Sequence, residues 1–190
     1  TGFFDPDIAT SGRGQWFDLE KAKSFRAQAA EQGEVEVTYM MAERGPVGTR
    51  VAQTIAPMLA QVGIKANLEL IEPAAWVKRR NEGDFDLYDF EWVADLDPDE
   101  AIYPEFKSDG AWNFCGWVNT EFDDLCKRAQ VLLDTAERAK LYHAAEDLLM
   151  DEAPIGIMTH MPIYKVFSNK VQGFQYNPAD LVNLHTVSLA

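Results

Sequence analysis

Three consecutive segments of this chain repeat their apolar residues with periods of two, about 3.6 and two again. Residues 34–40 (EVEVTYM) alternate apolar and polar side chains, and so do residues 65–71 (KANLELI). Between them, residues 49–63 repeat apolar side chains at helical spacing and end on Gly63, which predicts a helix C-cap. Pro57 falls inside this helix and predicts a bend. Strand, helix and strand in this order predict a right-handed β-α-β unit with parallel strands.

Further helix and strand signals flank this unit. Asp18 has the residue type of a helix cap and predicts a first helix that continues to Gly33. The apolar face of this helix comprises Leu19, Ala22, Phe25 and Ala29. A short helix is predicted to begin at Pro73. Residues 84–92 (DFDLYDFEW) are apolar on both faces near their end, which predicts a third parallel strand in the interior of the sheet.

The second half of the chain predicts two helices. Thr120 with Asp123, and Asp134 with Glu137, have the spacing of capping boxes, so each pair predicts the start of a helix. The second helix is expected to end before Pro154, because the residue before a proline disfavours helical backbone.

Extended structure is predicted after these helices. Residues 154–160 and 162–174 predict two strands, and the tail beyond them shows little regular pattern. The predicted fold class is therefore α/β, with a mixed and mostly parallel sheet flanked by helices. A chain of 190 residues with 47% hydrophobic content is long enough to bury a core of its own, so one domain is expected.

The charge of the chain argues against two classes of partner, nucleic acids and anionic membranes. A formal net charge of -14 repels nucleic-acid phosphates and anionic membrane surfaces, so neither is an expected partner. No apolar stretch approaches the roughly 20 residues that cross a bilayer. The first residues contain no basic and apolar export signal, so they do not indicate the compartment.

Motifs for catalysis and for metal binding are missing from the sequence. It contains no G-x-S-x-G elbow, no P-loop and no glycine-rich dinucleotide turn. Cys115 and Cys126 lack a C-x-x-C spacing and the three histidines are scattered, so no zinc, nickel or haem site is predicted. His160 ends a predicted strand and is interpreted as a hydrogen-bonded polar residue. The sequence therefore predicts a protein that is not an enzyme and has no cofactor.

Residues 91–100 (EWVADLDPDE) concentrate five acids, most of which have structural explanations. Asp97 followed by Pro98 is the pattern of a helix start, and the next two acids fall in the first turn, where the helix dipole favours negative charge. Asp95 has no such role. It comes at the carboxyl end of the third predicted strand, the edge at which open α/β sheets bind ligands. Trp92 is expected to form a wall of the same cleft.

A calcium-binding loop is the competing interpretation of these acids. Asp95, Asp97 and Asp99 have the alternate spacing of the first ligands in an EF-hand. However, Glu100 stands where that loop needs a turn glycine, and Phe106 stands where it needs a bidentate acid. The sequence therefore argues against a calcium site.

Five fragments of the chain together resemble one protein family. They are FDLEKAK, residues 58–99, NFCGWVNTEFDDL, residues 134–160 and NKVQGFQYNP. Their order and spacing resemble the C-terminal half of the extracellular solute-binding proteins that serve peptide and nickel ABC importers, and most of all the dipeptide- and oligopeptide-binding branch. The resemblance implies that residues 1–190 form one periplasmic-binding-protein-like lobe of a larger two-lobed receptor, with residues 1–16 and 179–190 irregular and an N-terminal lobe missing.

The same resemblance implies a function and a location. The receptor would be periplasmic, or extracellular and membrane-associated, and would bind a small peptide or similar solute in a cleft between two lobes. Its partner would be the ABC permease in the membrane, to which it delivers the solute. A structural or interaction module without a transport function is the alternative.

The resemblance also implies ligand-binding residues by position. Trp92 to Asp95 matches a W-x-x-D segment whose acid holds the α-ammonium group of the ligand in peptide-binding members. A carboxylate suits that task because it forms a charge-assisted hydrogen bond with the cation. Arg44 falls near the position of a carboxylate-binding arginine, and Arg50 is its rival.

A further segment resembles the lining of the family's pocket. It contains Asn113, Phe114 and Trp117, although both aromatic residues also suit an ordinary core. An oxidising compartment would allow Cys115 and Cys126 to pair. We nevertheless predict free thiols, because one cysteine falls in an extended segment and the other is expected on the exposed side of a helix.

Overall fold

The computed structural model describes residues 17–30, 33–43, 45–92, 97–158, 164–177 and 182–190. These residues belong to two compact units. The sheet unit is the described part of Trp16–Glu91, and the helical unit is the described part of Trp92–Ala190. The organisation of the chain as a single lobe of a larger receptor stays a prediction.

The sheet unit alternates helices and strands. In chain order its elements are α1 (Leu19–Gln28), β1 (Val35–Ala42), α2 (Pro46–Ala60), β2 (Ile64–Ile71), α3 (Pro73–Glu82) and β3 (Leu87–Tyr88). In the described sheet β1 lies between β2 and β3 and is parallel to both. β1 and β2 pair along their whole length, from Val35 opposite Ile64 to Ala42 opposite Ile71. The predicted β-α-β unit is therefore confirmed.

The core of the sheet unit is built on β1, whose side chains are buried on both faces. Tyr39 and Met41 pack with Ala52 of α2. Met40 packs instead with Trp76 of α3, which is fully buried. Because successive strand residues point to opposite faces, α2 and α3 cover opposite faces of the sheet. This is the layered α/β architecture that the sequence predicts.

The third strand differs from its prediction. Only Leu87–Tyr88 pairs with β1, and the interior strand of the described sheet is β1, so the prediction of a long interior third strand is wrong. Two acids explain the short ladder. Asp86 accepts a hydrogen bond from the backbone N–H of Thr38 at 2.7 Å, and Asp89 accepts one from that of Ala42 at 3.3 Å. These carboxylates satisfy donors that a longer strand would otherwise use.

The end of α1 also differs from its prediction. The helix begins after its predicted cap, Asp18, which accepts a hydrogen bond from the N–H of Lys21 at 2.9 Å. It ends at Gln28 rather than near Gly33, because Ala29 has an extended backbone. No residue of α1 is buried, and Phe25 of the predicted apolar face is 62% exposed.

The C-cap of α2 lies two residues before its predicted position. The helix contains Pro57 as predicted, and its C-cap is Gln61. Gly63 comes two residues later with a φ of 74°, a left-handed conformation that favours glycine. Its carbonyl accepts a hydrogen bond from the N–H of Val35 at 2.9 Å. Gly63 therefore forms the turn into β2 instead of capping the helix.

The helical unit contains three helices and a small antiparallel pair of strands. They are α4 (Pro98–Phe106), α5 (Thr120–Gln130), α6 (Thr135–Glu152), β4 (Val171–Gln172) and β5 (Ser188–Leu189). The core joins the three helices and comprises Ile102, Tyr103, Phe106, Phe122, Cys126, Ala129, Tyr142, Ala145 and Leu149. As predicted, α6 ends before Pro154.

Two of the three predicted helix starts in this unit are confirmed. Asp97 caps α4, and Asp134 caps α6. The cap of α5 is Asn119 and not Thr120, which is the first helical residue. The side chain of Asn119 accepts a hydrogen bond from the N–H of Phe122 at 2.9 Å. Asparagine and threonine are both good caps and are adjacent here, so the sequence pattern placed the cap one residue too late.

The late strands are only partly where the sequence predicts them. Residues 154–158 contain no strand, and residues 159–163, which include His160, lie outside the described residues. β4 takes up two residues of the predicted strand 162–174. Its partner β5 lies in the tail, where no strand is predicted. Within the described residues, the predicted strands are therefore wrong in their extent.

Candidate functional site

The predicted site residues fall into two groups. Arg44 and Asp95 lie outside the described residues, and their roles stay predictions. The structure describes the others, which are Arg50, Trp92, Asn113, Phe114 and Trp117. It also describes Asp97, so both ends of the segment that contains Asp95 are defined.

Trp92 and Phe114 come together through a third ring, that of Trp112. The rings of Trp92 and Trp112 meet edge to face with their centroids 5.3 Å apart, and those of Trp112 and Phe114 do so at 5.9 Å. Trp112 is 44% exposed, whereas the other two are partly buried. We call these three residues the aromatic cluster. Its exposed ring surface suits contact with an apolar part of a ligand.

Asn113 uses its side chain inside its own loop. Its amide nitrogen donates hydrogen bonds to the carbonyls of Lys107 at 3.1 Å and Trp117 at 2.6 Å. Its amide oxygen accepts one from the N–H of Trp117 at 3.2 Å and one from the thiol of Cys115 at 3.2 Å. These bonds fix the connection between α4 and α5. They assign Asn113 a structural task, and its predicted contact with a ligand is not tested.

Trp117 packs against the core of the helical unit. Its ring lies edge to face with Phe122 at 5.1 Å and with Phe106 at 6.4 Å between centroids. Its indole N–H donates to a carboxylate oxygen of Glu152 at 2.7 Å, near the end of α6. Of the two interpretations of Trp117, this packing favours an ordinary core residue.

Asp97 does more than cap α4. Its Oδ1 accepts a hydrogen bond from the N–H of Asp99 at 2.9 Å. Arg138 of α6 holds the same carboxylate at two points, with Nη2 2.7 Å from Oδ1 and Nη1 3.0 Å from Oδ2. A bidentate pair is the strongest geometry for these two groups. The bond from Arg138 lowers the pKa of Asp97 below its ordinary value, so Asp97 stays ionised at neutral pH.

Arg138 is itself held by groups of α5 and α6. Its Nε donates to the carbonyl of Ala129 at 3.1 Å, and Nη2 lies 3.2 Å from the hydroxyl of Tyr142. That hydroxyl donates to Asp99 at 3.1 Å, and Gln130 donates to the same carboxylate at 2.9 Å. We call this network the α4 clamp; its members are Asp97, Asp99, Gln130, Arg138 and Tyr142. It ties the first turn of α4 to both other helices.

A depression of about 450 Å³ lies in the sheet unit, where β1 leads into α2. Its lining comprises Glu43, Gly45, Thr49, Arg50, Gln53 and Leu70. Gly45 caps α2 without a side-chain hydrogen bond. Arg50 is exposed and lies one turn further along. A guanidinium beside a helix start favours an anion such as a carboxylate, while Glu43 opposes one.

The two cysteines are free, as predicted. Cys115 is exposed, but Cys126 is fully buried in the core, so its expected position on an exposed helix side is wrong. Helix α5 buries Cys126 together with Phe122 and Ala129, which follow helical spacing. Burial raises the pKa of the Cys126 thiol to about 12.

The described residues contain neither a cluster of metal-ligating side chains nor a membrane-spanning helix. Within them, no three histidine, cysteine, aspartate or glutamate side chains come together as possible metal ligands. None of the helices in these ranges is both long enough and apolar enough to span a membrane.

The sequence profile of one family, the bacterial extracellular solute-binding proteins, family 5 Middle, matches residues 2–114, which are more than half of the chain. The chain belongs to this family. The predicted family is therefore confirmed, and so is the α/β fold class.

Individual members of family 5 show the extent of the similarity. The dipeptide-binding protein of Pseudomonas aeruginosa is 30% identical over 85% of this chain and 32% of its own length. Heme-binding protein A of Haemophilus influenzae is 31% identical over 85% of this chain and 31% of its own length. The chain thus spans about a third of the length of the curated relatives it matches.

A solved structure is similar in sequence and in fold. It is the ABC transporter-associated periplasmic binding protein DppA of Helicobacter pylori, in complex with the peptide STSA. Its TM-score with this chain is 0.72 at 27% identity, and the match covers 90% of this chain and 34% of that one. The family is thus one of extracellular solute-binding proteins, and this solved relative is a periplasmic protein.

Proposed function

We propose that this chain is the C-terminal, ligand-binding lobe of a two-lobed receptor that serves an ABC importer. The receptor binds a small peptide or a similar zwitterionic solute between its lobes, outside the cytoplasmic membrane, and passes it unchanged to the permease. Family membership supports this proposal, as do the relative named for dipeptides and the structure solved with a peptide. The ligand range of the family is wider, since one relative is named for heme.

The observation that carries the proposal is the W-x-x-D segment between two fixed ends. Trp92 is held in the aromatic cluster, and Asp97 is held by Arg138 and by its capping bond. Asp95 is the remaining acid between them. An α-amino group has a pKa of about 8, so it is mostly cationic at neutral pH. An ionised Asp95 would bind this cation by a charge-assisted hydrogen bond.

The carboxylate end of such a ligand needs a cationic or N–H-rich partner. Arg44 is one proposed partner, from its position in the sequence. Arg50 is the other, and its support is the depression at the start of α2, which combines a guanidinium with the N-terminus of a helix. Substituting each arginine separately and measuring the affinity for a free peptide and for its amidated form distinguishes the two.

Calorimetry of the full-length receptor with dipeptides and tripeptides tests the proposed function. We expect saturable one-site binding with micromolar or tighter affinity. The isolated 190-residue chain is the matched control and should bind more weakly than that, because half of the contacts in the cleft and all of its closure are absent. Failure of the full-length protein to bind any peptide, or equally tight binding by the isolated chain, would contradict the proposal.

A further inference from the structure

The strand β2 forms one edge of the described sheet and directs half of its backbone groups away from it. In that sheet β2 pairs with β1 alone. The N–H of Val35 bonds the carbonyl of Gly63 at 2.9 Å. The N–H of Glu43 bonds that of Ile71 at the same distance, so the odd-numbered residues along β2 turn their backbone groups toward β1. Because the direction alternates along a strand, the even-numbered residues turn theirs outward; they are Ile64, Ala66, Leu68 and Leu70.

These outward groups are open to a further strand. Within the described ranges, no hydrogen bond reaches their N–H or C=O groups. The side chains along the edge are mostly exposed, with Leu68 at 36% and Leu70 at 50%. The edge is eight residues long, contains no proline, and pairs with β1 without a bulge. A long and regular edge strand of this kind is a template for pairing with another chain.

The charges on β2 select the strand that fits this edge. Lys65 and Glu69 lie two positions on either side of Asn67, on one face of the strand. Their side chains pair within the chain with Glu36 and Arg79, yet they stay 51% and 47% exposed. If a second copy of β2 pairs antiparallel with Asn67 opposite Asn67, Lys65 of each copy lies opposite Glu69 of the other. Opposite charges in this arrangement stabilise a strand pair.

The same register also matches the outward backbone groups. It sets Leu68 of one copy opposite Ala66 of the other, and Leu70 opposite Ile64. Each of these residues turns its N–H and C=O outward, so every outward group of both strands meets a partner. The apolar side chains lie opposite one another on the second face of the pair.

Other arrangements of two β2 strands lose one of these matches. An antiparallel shift by two residues places Lys65 opposite Asn67 or Ile71, so the opposite charges no longer meet. A shift by one residue sets outward groups against residues that turn toward β1. Parallel pairing in register brings Lys65 against Lys65 and Glu69 against Glu69. The charges therefore guard the edge against parallel pairing and favour one antiparallel register.

We infer that β2 is a dimerisation edge, at which two copies of the chain join through an antiparallel β2–β2 pair with the two-fold axis at Asn67. The interface is self-complementary, as a two-fold axis requires. It consists of a single strand pair, so it belongs with the small, transient interfaces. The net charge of -14 on each copy opposes association at low salt, where it is poorly screened.

Sedimentation of the full-length protein over a range of concentrations tests this inference. At a salt concentration of about 0.15 M, we expect the mean mass to rise from monomer toward dimer between about 10 and about 500 µM. Leu68→Pro removes one outward N–H and leaves the ladder with β1 intact, so it should keep the protein monomeric with an unchanged circular dichroism spectrum.

Exchanging the charges tests the register. Lys65→Glu opposes like charges at both symmetric pairs and should weaken self-association by roughly 5- to 50-fold, and Glu69→Lys should do the same. A mixture of the two variants, one of them fluorescently labelled, restores both opposite pairs and should associate about as tightly as the wild type. Each variant keeps its altered charge beside Glu36 or Arg79, so recovery in the mixture reports contacts between copies.

Lys78→Glu is the matched control, because it makes the same charge change at an exposed position of α3 and should leave self-association unchanged. A wild type that stays monomeric at the highest concentration overturns the inference, whether its edge meets water or takes up a strand of another protein. Dimers that persist in Leu68→Pro, or a mixture that associates no more tightly than the separate variants, overturn it as well. If Leu68→Pro does not fold, the mixture decides.

Discussion

Asn113 and Trp117 exchange two hydrogen bonds, one from the side-chain amide to the Trp117 carbonyl at 2.6 Å and one from the Trp117 N–H to the amide oxygen at 3.2 Å. This exchange closes the loop that leads from α4 to α5. Asn113→Ala removes both bonds and leaves partly buried backbone groups unsatisfied. We expect the free energy of unfolding to fall by about 1 to 3 kcal/mol in chemical denaturation.

A matched substitution tests whether the donors matter. Asn113→Asp keeps the shape and the acceptor but replaces the donating nitrogen with a second oxygen that faces two carbonyls, so it should be at least as destabilising as Asn113→Ala. Asp109→Ala removes an exposed side chain nearby and should have almost no effect. An Asn113→Asp variant as stable as the wild type would contradict the assigned bonds.

Glu105 predicts a pH dependence of stability. It is 7% exposed, its Oε1 has no hydrogen-bond partner within the described ranges, and burial raises its pKa to about 7. The unfolded chain releases this proton near pH 4.5, whereas the folded protein keeps it to about pH 7. The folded state therefore binds more protons in this interval, and stability falls as the pH rises from about 4.5 to about 7, by about 1 to 3 kcal/mol.

Glu105→Gln removes this titration. The variant should lose the fall in unfolding free energy over that interval and should be more stable than the wild type at a pH of about 8. Glu100→Gln, an exposed position on the same helix, should retain the slope of the wild type. Denaturation curves at several pH values measure this, and parallel slopes for Glu105→Gln and the wild type would show that Glu105 is not responsible.

The two cysteines should react very differently with a thiol reagent. Cys115 is exposed, whereas Cys126 is fully buried and its raised pKa keeps it protonated. The native protein should therefore take up one label and the denatured protein two. Cys115→Ser should abolish labelling in the native state. A mass spectrum with both cysteines labelled under native conditions, or with neither labelled after denaturation without reductant, would contradict this assignment.

Local rules predicted the parts of the fold that depend on neighbouring residues. Asp18, Asp97 and Asp134 were identifiable as caps because a cap bonds an amide only two or three residues away. The β-α-β unit was predictable because each of its elements has a clear period. The third strand was not, since its length depends on carboxylates that bond a strand more than 40 residues away.

The candidate site was also predictable only in part, because some of its contacts join residues that lie far apart in the sequence. Trp92 and Phe114 were selected from the sequence, but Trp112, which joins them, has no spacing that distinguishes it from a core aromatic. Asp97 was recognised as a cap, yet its pairing with Arg138 spans 41 positions and leaves no local pattern. The roles of Asp95 and Arg44 came from the family resemblance and stay predictions.

Asp95 is the proposed binding partner of the ligand's α-ammonium group, and calorimetry of Asp95→Asn in the full-length receptor measures this role. The substitution keeps the shape and removes the charge, so we expect binding of a free-amine dipeptide to weaken by about 2 to 4 kcal/mol with little change in melting temperature. Asp109→Asn should bind like the wild type, and the N-acetylated dipeptide should bind the wild type poorly and gain nothing from the variant. Wild-type affinity in Asp95→Asn, or equal binding of both dipeptides by the wild type, would contradict the claim.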